Sequence, residues 1–227
     1  MRTRIKVCCI ASPAEARLAV QLGADALGLV AAMPSGPGPI PEALIAEIAA
    51  GVAPPIATFL LTSLTRVDNI VHQHRRCGTN TIQLVDTLTH GTLPELRAAL
   101  PGISIVQVIH VTGPESVAQA LVAARDAHAL LLDSGNPAAR VKELGGTGRV
   151  HDWSLSRTIR DQSPVPVFLA GGLRPENVAA ALEAVAPWGV DLCSGVRTGG
   201  ALDAGKLARF VREVTPHGGR LSAPETG

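Results

Sequence analysis

The chain has 227 residues, a formal net charge of +1, 46% hydrophobic and only 2% aromatic residues, with no tyrosine. The balanced charge excludes a broad field for nucleic acid or an anionic membrane surface, and the lack of aromatics excludes a stacking platform for single strands. Four cysteines in neither C-x-x-C spacing nor a dense framework fit a reducing, cytoplasmic setting, while the short N-terminal apolar run, broken by Lys6, resembles neither a signal peptide nor a membrane span.

Taken in order, Arg4 to Ala11 reads as a first strand, and Ser12-Pro13-Ala14-Glu15 as a capping box that starts a helix at once. That helix runs to Leu22 and stops at Gly23; Ala26 to Ala32 is a buried strand, and Met33 to Pro41 is a Pro/Gly-rich loop. Helix and strand then alternate: Glu42 to Ala50, Ile56 to Leu61, Arg66 to Arg76, Thr81 to Val85, Pro94 to Leu100, Ser104 to Val111, and Pro114 to Ala127. Ala129 to Asp133 is an apolar strand ending in a carboxylate. A glycine-bearing loop follows, with the run Gly145-Gly146-Thr147-Gly148, whose composition suits a mobile lid. Trp153 to Arg160, Val165 to Ala170, Pro175 to Val185, Val190 to Cys193 and Ala204 to Val214 complete the series. Eight strands and eight helices, at spacings of about 25 to 30 residues, predict a single (β/α)8 TIM barrel over 1–214, with 215–227 as a flexible tail.

In such a barrel all strand ends meet at one mouth. Period-two alternation puts Lys6 and Cys8 on one face of the first strand, and an ammonium beside a thiol favours the thiolate. The competing reading is a core cysteine, the commoner role of that residue. Asp133 ends an otherwise apolar strand, where partial solvation suits proton delivery, although such a residue often only caps a turn. Gly171-Gly172 and Ser194-Gly195 follow strands seven and eight, where this fold builds its phosphate site from backbone amides. Together these residues suggest proton transfer at a carbon next to a carbonyl or imine of a phosphosugar, with no metal and no cofactor. His72 and His74 are expected at the surface, His110 as a satisfied structural histidine, and Trp153 as a seal on the sixth helix.

Lys6-Val7-Cys8, Leu132-Asp133-Ser134, Gly145-Gly146-Thr147-Gly148 with Asp152-Trp153, Ala170-Gly171-Gly172-Leu173 with Pro175-Glu176-Asn177-Val178, and Asp191 with Ser194-Gly195-Val196 resemble the phosphoribosylanthranilate isomerase family. The resemblance runs from Lys6 to about Val214. It implies a tryptophan-biosynthesis barrel that performs an Amadori rearrangement without cofactor, as a monomer or homodimer, on a small phosphorylated sugar-amine. By resemblance, Asp133 is the general acid that opens the furanose ring, and Cys8 the base that removes the C2′ proton. Gly172 and the Ser194-Gly195 loop hold the phosphate.

Departures accompany the likeness. Cys9 and Ala11 replace the usual Gly and Thr, Gly36-Pro37-Gly38 stands where the family carries an Arg for the anthranilate carboxylate, Val85-Asp86 replaces His-Gly, and Arg197 replaces a Glu. Loss of a bidentate Arg–carboxylate contact is costly, and Arg197 is the candidate to supply the charge from another loop. Two further readings stay open: the same chemistry on a different phosphoribosyl amine, and a non-catalytic barrel that binds a phosphorylated metabolite.

Overall fold

The computed structural model describes residues 2–135 and 150–215. The Gly145–Gly148 run and residues 216–227 of the expected tail lie outside them. The strands are β1 (Arg4–Val7), β2 (Ala26–Val30), β3 (Ala57–Thr62), β4 (Thr81–Leu84), β5 (Ser104–His110), β6 (Ala129–Asp133), β7 (Val167–Leu169) and β8 (Gly189–Leu192). The helices are α1 (Pro13–Gln21), α2 (Glu42–Ala50), α3 (Val67–Cys77), α4 (Leu93–Ala99), α5 (Glu115–Ala123), α6 (Trp153–Gln162), α7 (Val178–Val185) and α8 (Ala204–Val214). All neighbouring strands are parallel, and β1 pairs with β8 to close the barrel. The expected (β/α)8 architecture is the observed one.

Closure makes the strands two-faced. Ile5, Val7, Leu27, Leu29, Leu130, Leu132 and Val190 point outward and form one core with the helices. Cys8, Ala26, Val30, Phe59, Val106, Leu131 and Phe168 fill the inside. Both faces are thus apolar, which is why the strands read as continuous hydrophobic runs rather than as alternating ones. Gly189 on β8 leaves room for the larger rings: Phe59 and Phe168 meet edge to face at 6.0 Å, and Phe168 meets Trp188 at 5.1 Å.

Differences from the sequence reading have local causes. β1 stops at Val7 because Cys9 adopts φ +61°, which ends extended structure. α7 starts at Val178 rather than near Pro175, since Asn177 Oδ1 accepts from Arg174 N at 2.8 Å and holds a turn first. α5 spans Glu115–Ala123, ending short of Ala127. A hairpin pairs β9 (Arg197–Thr198) with β10 (Ala201–Leu202) through Gly199-Gly200, both at positive φ. That Gly-Gly pair is a legible two-residue hairpin signal. His72 is exposed as expected, but His74 is buried, its Nε2 2.7 Å from the Thr79 carbonyl oxygen. No described helix is long and apolar enough to cross a membrane.

Gly189 stands against Phe168: a Cβ there would lie 2.7 Å from the ring. Gly189→Ala is therefore expected to lower stability by about 1–3 kcal/mol through overpacking, read as a lower urea midpoint with an unchanged slope.

Candidate active site

The base of the site is a buried ion pair. Lys6 is fully buried, with Nζ 2.8 Å from Asp191 Oδ1 and 5.2 Å from the centre of the Phe59 ring. Burial works against the ammonium, but Asp191 and then Cys8 outweigh it, and the Lys6 pKa is pushed up to about 12. Burial also pushes the Asp191 carboxyl upward, opposed by Lys6 and reinforced by Asp133. With the ammonium held charged at 2.8 Å, the pair stands ionised at neutral pH.

Cys8 follows on the same inward face. Gly28 opposite leaves it room, since a Cβ there would stand 2.8 Å from Cys8 Sγ and 3.1 Å from Lys6 Nζ. Cys8, Asp133, Gly171, Gly172 and Ser194 all line one pocket at the carboxyl end of the barrel, together with Asp191, Gln83, Cys9 and Cys193. Asp133 is buried, and its Oδ1 accepts from Ser134 N at 2.7 Å. Met33, Ser35, Gly36 and Pro37 form another wall, so the expected Pro/Gly loop reaches the mouth.

The two glycine-bearing loops are packed against each other. Gly171 and Gly172 take φ +85° and +61°, and Asn177 Nδ2 donates to the Gly172 carbonyl at 3.0 Å. A short 3-10 turn covers Ser194–Val196. A Cβ on Gly195 would fall 2.1 Å from the Leu173 carbonyl oxygen, so this close approach requires glycine. Gly195 thus sits behind the pocket and Lys6 beneath it.

Arg197 is placed elsewhere. Its Nη1 is 3.0 Å from Glu15 Oε1 and 2.9 Å from the Gly200 carbonyl; its Nη2 donates to Glu15 Oε2 at 3.1 Å and to the Cys8 and Cys9 carbonyls. It is not among the described residues that line the pocket, nor is any other Arg or Lys. The clamp also revises the expected capping box. Ser12 Oγ accepts from Glu15 N at 3.1 Å, but Glu15 returns to Ala11 N, Leu202 N and Arg197. His110 Nε2 lies 3.0 Å from the Val85 carbonyl oxygen, and Trp153 packs against the helix-side core.

Sequence reasoning did not propose Gln83, Cys9 or Cys193 as mouth residues. Gln83 is buried, lines the pocket, and its Oε1 has no hydrogen-bond partner among the described residues. Its signal was a lone amide in the apolar strand Thr81–Leu84. Strand parity pointed Cys193, two residues past Asp191, to the mouth, but pointed Cys9 away from it; Cys9 reaches the pocket through its φ of +61°.

Two outcomes follow from these contacts. Lys6→Met is expected to cost about 3–5 kcal/mol by stranding Asp191, with much of it recovered in Lys6→Met/Asp191→Leu, measured by urea denaturation. Burial opposes ionisation of Glu15, but Arg197 and two backbone amides win and hold its pKa below the usual 4.5. A depressed folded value contributes stability above the unfolded value, lost as pH falls through the folded one. The Tm advantage of the wild type over Glu15→Gln should therefore be full at neutral pH and shrink below pH 4.5.

A closed parallel barrel whose mouth collects a thiol, carboxylates and paired glycine loops defines a barrel enzyme. The sequence model of N-(5′-phosphoribosyl)anthranilate isomerase matches residues 5–213. N-(5′-phosphoribosyl)anthranilate isomerase 2 of Methanosarcina mazei is 36% identical over 213 residues, 93% of each chain. Phosphoribosyl anthranilate isomerase from Thermotoga maritima superposes with a TM-score of 0.76 at 28% identity, covering 93% of this chain and 98% of that one. A phosphoribosyl anthranilate isomerase in complex with reduced 1-(o-carboxyphenylamino)-1-deoxyribulose 5-phosphate matches at 26% identity and TM-score 0.74, with the same coverage. The chain belongs to the phosphoribosylanthranilate isomerase family, and it is an isomerase.

Proposed function

We propose that this protein converts N-(5′-phosphoribosyl)anthranilate to its 1-deoxyribulose phosphate isomer in tryptophan biosynthesis, with Asp133 as general acid and Cys8 as general base. The observation that carries this reading is that Cys8 and Asp133 line the same pocket as Gly171, Gly172 and Ser194. Family membership and a relative crystallised with a reduced product analogue support the substrate class.

The steps balance without a cofactor. The phosphate of the ligand rests on the backbone amides of the two glycine-bearing loops, which brings the sugar between thiol and carboxyl. Asp133 delivers a proton to the furanose ring oxygen as the C1′–O bond breaks, and the amine nitrogen forms the C1′ iminium. Cys8 then takes the proton from C2′, and the C–H pair becomes the C1′–C2′ double bond of an enolamine. Cys8 returns that proton to C1′ while the Asp133 carboxylate takes the proton of the C2′ hydroxyl, which leaves the C2′ ketone and restores both groups. Lys6 lies beneath as a fixed positive charge held by Asp191. Acid–base transfers of this kind contribute about 10²–10⁴-fold each.

One observation favours a second reading, the same rearrangement on another phosphoribosyl amine. No Arg or Lys among the described residues lines the pocket, and Arg197 is engaged by Glu15 and backbone carbonyls. Gln83 Oε1 and the Gly36–Pro37 wall then set the aglycone pocket.

Turnover of freshly generated phosphoribosylanthranilate, followed by loss of its fluorescence, tests both readings. The expected result is activity in the wild type and a fall of about 10²–10⁴-fold in kcat for Cys8→Ser and for Asp133→Asn. Unchanged variants would refute the assigned roles. No wild-type turnover, with inorganic phosphate still bound, would favour the other amine.

A further inference from the structure

Two more sulfurs stand at this mouth, and the proposed chemistry uses neither. Cys9 follows Cys8 beyond the end of β1, and Cys193 follows β8; they are 184 residues apart in sequence, yet their Sγ atoms are 2.6 Å apart and share a hydrogen bond. Their approach comes from the barrel seam. β1 and β8 pair with Val7 opposite Leu192, so the residues just past both strand ends emerge side by side.

Cys9 is held in this position from several sides. Its φ of +61° belongs to the left-handed region that a residue with a Cβ occupies only under constraint. Its thiol reaches the Pro37 carbonyl at 3.6 Å, and Gly38 presses on it so closely that a Cβ there would fall 2.6 Å from Cys9 Cβ. Cys193 is partly exposed and, like Cys9, lines the pocket, which gives a small reagent access.

We propose that Cys9 and Cys193 are a redox-modification site at the rim of the active site, forming a reversible disulfide by exchange with a low-molecular-weight disulfide. The hydrogen bond shared with Cys9 holds the Cys193 thiol below its usual range against the effect of burial, with Arg197 assisting. Hydrogen bonds to Cys193 and Cys8, and then burial, hold Cys9 above its own. Cys193 is therefore the attacking thiolate and Cys9 the resolving thiol. Cys193 sulfur attacks one sulfur of the reagent, forming a mixed disulfide and expelling one thiolate. Cys9, giving up its proton, attacks the Cys193 sulfur and expels the second. Two protein thiols are oxidised, and one disulfide is reduced to two thiols. Cys77 is fully buried and its thiol is pushed up by burial to about 11, so it stays reduced, and Cys8 keeps its thiol because the sulfurs 2.6 Å apart are those of Cys9 and Cys193.

The bond ties the residue after the proposed base to the residue before Ser194. Its effect on turnover rests on the proposed function; its formation does not. The test treats the reduced full-length protein with oxidised glutathione, digests it without reductant, and maps the peptides by mass spectrometry. The expected result is a dithiothreitol-sensitive link between the tryptic peptides carrying Cys9 and Cys193, with thiols titrated in denaturant falling from four to two. The link should be absent in Cys193→Ser and in Cys9→Gly, the latter chosen because glycine suits the positive φ. No link in the wild type would overturn the proposal, and so would a link that persists in Cys9→Gly, which would place Cys8 in the bond. Because the readout is covalent, an inactive reduced protein would count against the proposed function and leave this test intact.

Discussion

The barrel closes where β1 meets β8, and at that seam Lys6 and Asp191 sit opposite each other in register with their charges 2.8 Å apart. An ammonium buried without a partner costs several kcal/mol, so the pair forbids the one-residue slips that an all-apolar seam would tolerate. Parity does the rest. Two residues beyond Lys6 on the same face is Cys8, and two beyond Asp191 is Cys193. The ion pair thus fixes which side chains reach the mouth, and it does so from below the site.

A second, shallower clamp sets the geometry above it. Glu15, in the first turn of α1, and Arg197, after the turn that follows β8, grip one another and the carbonyls of Cys8 and Cys9. The residue that differs in charge from the family pattern therefore acts on the backbone of the first loop. The Cys9 carbonyl it holds belongs to a residue at φ +61°, in a position where the family usually has glycine. Both departures lie at one spot, joined by the contact of the Arg197 guanidinium with the Cys9 carbonyl. The missing carboxylate-binding Arg is a separate change, on the Gly36–Gly38 wall.

Much of the fold was legible because a (β/α)8 chain repeats one local pattern eight times. The ranges of α2, α8 and β6 agree with the sequence reading, and those of most other elements differ by a few residues. The misses come where a side chain overrides the local pattern. Asn177 holds a turn ahead of α7, and the backbone of Cys9 ends β1. At the site, the strand-end residues Cys8 and Asp133 and the loops after β7 and β8 were visible from position alone. Gln83 and the Cys9–Cys193 pair were not, because strand parity does not say how far apart two strand ends lie across a barrel.

By itself, then, the sequence determined the alternation of elements, the barrel, the family, and the strand ends that carry polar or reactive groups. Those depend on local periodicity and on motifs a few residues long. The tertiary structure alone decided the partners. It joined Lys6 to Asp191 and Cys9 to Cys193, and it turned Arg197 away from the pocket toward Glu15. Each of these links spans more than 180 residues, and only closure of the sheet brings such distant positions within reach of one another.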